Sequence, residues 1–114
     1  MKIIVALDSF PLKYICTELS KLGHDVRGSD DPEQIVDIYL SEDFIHNIDL
    51  LITTDGSKWS SVRGKIKKKR ITLSDTTPWE EMTTVRKLIC ATVSKYREEN
   101  QTELYKKGES NDNA

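Results

Sequence analysis

Cysteine, glycine and long apolar runs are all scarce in this sequence, and each shortage excludes something. Only Cys16 and Cys90 occur, both on expected apolar helix faces. Small secreted domains held by disulfides carry more, so the pair reads as reduced core thiols in a reducing compartment. Apolar burial raises a thiol's pKa, which argues against a catalytic thiolate. Gly28, Gly56 and Gly64 stand alone, so no phosphate-cradling loop can be built from them. His24 and His46 lack the Cys or His spacing of a zinc site. The longest apolar run, Ile3 to Leu7, stops at Asp8 and is too short for a signal peptide or a membrane span. No membrane partner is expected, and the expected location is cytoplasmic. Neither sign of charge dominates: 17 basic and 19 acidic residues leave a net charge of -2. A uniformly cationic nucleic-acid binder is therefore excluded. Any such contact must come from a local basic block or from metal ions.

What is present is a regular alternation. The chain has 114 residues, of which 37% are hydrophobic, enough for one core. Lys2–Leu7 reads as a central strand buried on both faces. Pro11 opens a helix whose stripe is Leu12, Ile15, Cys16, Leu19 and Leu22, with Gly23 as its stop. A short polar strand over His24–Gly28 suits a sheet edge. Asp31-Pro32-Glu33-Gln34 carries an N-cap, a first-turn proline and a capping-box-like pair, and opens a helix using Ile35, Ile38 and Tyr39. A break at Ser41-Glu42-Asp43 precedes Phe44 and Ile45. Asp49–Thr53 is a second buried strand, residues 56–64 a loop with a short helix, and Arg70–Leu73 a fourth strand. Thr77-Pro78-Trp79-Glu80 is a further capping box, opening a helix with Met82, Val85, Ile89, Val93 and Tyr96 on one face. The expectation is a single α/β domain over residues 1–100, a three-layer sandwich with a parallel sheet of about four strands and helices on both faces. Residues 101–114 read as a polar tail, largely disordered at its end.

Each expected strand is followed by aspartate: Asp8, Asp30-Asp31, Asp55 and Asp75. Parallel strands end on one edge, where α/β sheets place their ligand crevice. Carboxylates gathered there repel unless a cation intervenes, and Mg²⁺ or Mn²⁺ takes oxygen ligands and can activate water at a phosphoryl group. Each acid also has a plainer reading. Asp31 caps a helix, Asp55 precedes Gly56 in a turn-forming pair, and Asp75 leads into a helix that Thr77 already caps. Asp8 is the least explained, since Pro11 sets the next helix without it.

Leu7-Asp8, Gly23-His24-Asp25-Val26, Asp31-Pro32-Glu33-Gln34-Ile35 and Thr53-Thr54-Asp55-Gly56-Ser57 together resemble the motif order of small PIN-like nucleases, over about residues 2 to 75. The resemblance implies Asp8, Asp31 and Asp55 as ligands of Mg²⁺ or Mn²⁺ for hydrolysis of single-stranded RNA. It implies Asp75 as a fourth catalytic acid and Thr53 beside the site. The chain departs from the family twice: Phe10 stands where an Asn is frequent, and Ser57 replaces a second Asp. A catalytically degenerate relative kept as a binding module is the corresponding alternative.

The strongest charge block, Arg63 to Arg70, offers Lys67, Lys68, Lys69 and Arg70 as phosphate contacts beside the acidic edge, or else a solvated loop. Trp59 can stack a base or anchor the loop on the core, anchoring being the commoner role. A haloacid-dehalogenase-like phosphatase is a further reading, with Asp8 as nucleophile, Thr53 or Thr54 at phosphate, Lys65 as the cation and Asp75 on magnesium. Phe10 again stands where that family needs an acid. The third reading is non-catalytic: an α/β module whose acidic rim contacts a basic protein partner.

Overall fold

The computed structural model describes residues 1–67, 70–74 and 84–98. Within them lie four parallel strands, β1 (Lys2–Ala6), β2 (Asp25–Ser29), β3 (Leu50–Thr54) and β4 (Arg70–Leu73), in the order β2-β1-β3-β4. The connecting helices are α1 (Ser9–Lys21), α2 (Pro32–Leu40) and α3 (Ser60–Lys65), the last entered through a single 3-10 turn, Ser57–Trp59. A fourth helix, α4, covers residues 84–98. The three-layer α/β sandwich is therefore the fold, with β1 and β3 central and the polar β2 at an edge. The capping box at Thr77–Glu80, Met82 and the tail lie outside the described residues. Among those described, no helix is long and apolar enough to cross a membrane.

The two faces of the sheet follow from the alternation of β1 side chains. Ile3, Val5 and Leu7 pack with Leu50 and Ile52 against Ile15 and Leu19 of α1 and Val85, Ile89 and Val93 of α4. Ile4, Ala6 and Leu51 pack on the other side against Ile35, Phe44, Ile48, Trp59, Val62 and Ile66. Every residue from Ile3 to Leu7 is fully buried, and each large apolar one contributes about 1.5–3 kcal/mol by leaving water. This double burial makes β1 a continuous apolar run in sequence.

Local chemistry sets the helix ends. α1 starts two residues before Pro11, which fits because the third helical N–H has no intrahelical acceptor and proline removes nothing there. Gly23 ends it with φ +89°, where glycine carries no steric penalty. Leu22, expected in the buried stripe, is the C-cap residue and is exposed. Asp31 caps α2 by accepting from the Glu33 N–H at 3.0 Å. Gln34 does not complete a capping box; its Oε1 accepts from the Ser29 hydroxyl at 2.6 Å, tying α2 to β2. Gly28 is required by packing: a Cβ there would lie 2.7 Å from Leu12 Cδ1 and 2.9 Å from both Cys16 Sγ and Val5 O. This close approach of α1 to β2 lets a polar edge strand share the core.

Candidate functional site

Chain direction places the crevice. From β1 the chain leaves through α1 on one face towards β2, while from β3 it leaves through α3 on the opposite face towards β4. Adjacent strands whose connections depart in opposite senses open a cleft at their carboxyl ends. That cleft lies between the segment starting at Asp8 and the one starting at Asp55. The pairing registers sharpen this. Val5 pairs with Ile52 and Ala6 with Ser29, so extending both ladders sets Asp31, Asp8 and Asp55 at one level. The backbone N–H of Asp55 still donates to Leu73 O at 2.9 Å, so the β3–β4 ladder continues to that level.

Asp8, Asp30 and Asp31 each turn to a partner of their own. Asp8 is the N-cap residue of α1 without a side-chain capping bond; its Oδ1 lies 3.0 Å from Lys58 Nζ. Lys58 also sits over the Trp59 ring, 4.9 Å from its centroid. Asp30 accepts from the Ser9 hydroxyl at 2.5 Å. That bond holds the Asp30 carboxyl below its usual range against partial desolvation, and the Lys58 charge adds to the effect. Asp31 is engaged at the α2 cap. Arg63 fixes the opposite wall, its Nη1 donating to Thr54 O at 2.6 Å and Gly56 O at 2.9 Å.

A hard divalent ion needs several oxygens converging at about 2.0–2.6 Å. Among the described residues no group of three or more His, Cys, Asp or Glu is placed to hold one. A lysine already neutralises Asp8, so Asp8, Asp31 and Asp55 as they stand do not fit an all-carboxylate metal centre. Asp75 lies outside the described residues, as do Lys68 and Lys69.

The other candidate residues divide between the core and the surface. Thr53 is fully buried on the face covered by α2 and α3, and its hydroxyl finds no partner among the described residues. It is a core residue, not a rim residue. Trp59 is 2% exposed, so it anchors its loop and offers no surface for a base. The described ends of the basic block lie apart: Arg63 reaches the carboxyl edge through Thr54 O and Gly56 O, and Arg70 does not. Arg70 opens β4 on the amino edge of the sheet, and β4 alone separates the edges by roughly 10 Å. Arg63 is engaged with the β3 loop and Arg70 Nη1 donates to Arg63 O at 3.4 Å, while Lys67 is exposed. Lys65, the cation of the phosphatase reading, ends α3 and lines a groove with Pro32, Glu33 and Asp37; the cation beside Asp8 is Lys58. Both cysteines are unbridged. Burial pushes the Cys16 thiol up to about 11 and also raises that of Cys90, so neither is an activated nucleophile.

Sequence reasoning missed Lys58 and Arg63. Lys58 carried one usable signal, its position three residues beyond a strand-terminal aspartate on the rim. Arg63 carried none, because it was absorbed into the basic run. Comparison with protein-family models, curated proteins and solved structures returns no match for this chain.

Proposed function

We propose that the chain is a non-catalytic binding module that uses the carboxyl edge of its sheet to hold a partner. The carrying observation is the 3.0 Å pair between Lys58 Nζ and Asp8 Oδ1. Asp8 ends a central strand and has no capping duty, so it is the acid with most reason to await a cation. A lysine of the chain supplies that charge. The pair is exposed on both sides and contributes only ~0–1 kcal/mol to stability, so its meaning lies in the site's charge and not in holding the fold. With Asp31 capping a helix and Asp30 bonded to Ser9, the rim is a set of oriented carboxylates suited to non-covalent contact. On this reading the PIN-like pattern is a likeness of scaffold, and Phe10 and Ser57 mark where the chemistry was lost.

The metal-dependent nuclease is the second reading, favoured by the level placement of Asp8 and Asp55 at the switch point. Thermal denaturation across a Mn²⁺ and Mg²⁺ titration, beside incubation with single-stranded RNA, decides between the two. The binding module shows no saturable rise in Tm and no cleavage, while Lys58→Ala, which uncovers Asp8, gains a metal response that the parent lacks. A saturable Mn²⁺ stabilisation of the parent, accompanied by RNA cleavage and lost in Asp8→Asn, replaces this reading with the nuclease.

A further inference from the structure

We draw no further inference here: the strongest candidate, the groove beside β4 and α4 lined by Leu50, Arg70, Ile71, Thr92 and Tyr96, carries nothing because no feature of the structure shows what covers it, the Arg70 guanidinium turning instead to Arg63 O.

Discussion

The two edges of the sheet are built from the same residue types and use them oppositely. At the amino edge, charge is consumed by the fold. The Lys2 N–H donates to Asp49 Oδ2 and the Asp49 N–H to Lys2 O, both at 2.8 Å, pinning the start of β1 beside β3. Asp25 takes Lys2 and Arg27, and those two cations cover the buried Phe44 ring. At the carboxyl edge, the acids sit where strands have ended and side chains face solvent, and their partners are local and exposed: Lys58 for Asp8 and Ser9 for Asp30. Identical chemistry stabilises the fold where it closes over apolar surface and is left for recognition where it does not. The comparison predicts that substitutions at the amino edge are read in stability and substitutions at the carboxyl edge in binding.

The largest effect that can break this contrast comes from Phe44. It has no exposure and lies in the core under α2 and α3, beneath two cations. Phe44→Ala is expected to cost about 3–5 kcal/mol in urea denaturation, through lost burial and a cavity. Asp8→Asn at the other edge should stay within about 0.5 kcal/mol, as surface substitutions usually do. Comparable losses from the two variants would dissolve the distinction between the edges.

Arg63 sharpens the contrast because it serves the carboxyl edge while acting structurally. It is half-buried, and its Nη1 joins two carbonyls of the loop that begins at Thr54. Arg63→Met keeps the stem but leaves both carbonyls to find other donors, for an expected loss of about 1–3 kcal/mol. Because that loop carries Asp55 and Lys58, the amide signals of residues 55–58 should move together in the variant. An unchanged loop with unchanged stability would show that Arg63 does not position the crevice wall.

Much of the fold was legible in the sequence, and the reasons are specific. Ile3–Leu7 and Leu50–Ile52 are unbroken apolar because both faces of those strands are covered, so their central position could be read directly. β2 was legible as an edge from its polarity. The register level shared by Asp8, Asp31 and Asp55 follows from the same rule, since strand ends in a parallel sheet share an edge. What the carboxylates do there was not legible. Lys58 meets Asp8 across 50 positions and Ser9 meets Asp30 across 21, contacts between loops that no period announces. Arg70 lies away from the aspartates for a simpler reason: a residue that opens a parallel strand lies on the edge opposite to the segments that follow such strands. Thr53 was misread because a strand-terminal threonine looks like a rim residue until the helices covering its face are in place.

The smallest expected effect concerns His24, which leads into β2 at the amino edge. It is buried, and its Nδ1 accepts from the Met1 amino group at 3.1 Å. Burial lowers its pKa below the ordinary 6.5, and the positive charges of that amino group and of Arg97 push the same way. The folded state thus disfavours protonated His24, and the unfolded chain binds the proton more readily. Stability from this residue is full above the unfolded pKa and declines as pH falls through about 6.5, because there the unfolded state takes up more protons than the folded one. Urea midpoints measured between about pH 8 and 5 should fall towards acid in the parent protein, and His24→Asn should flatten that slope even if it lowers stability throughout. An unaltered slope in His24→Asn would assign the acid sensitivity to other groups, with the exposed carboxylates of the opposite edge as the first place to look.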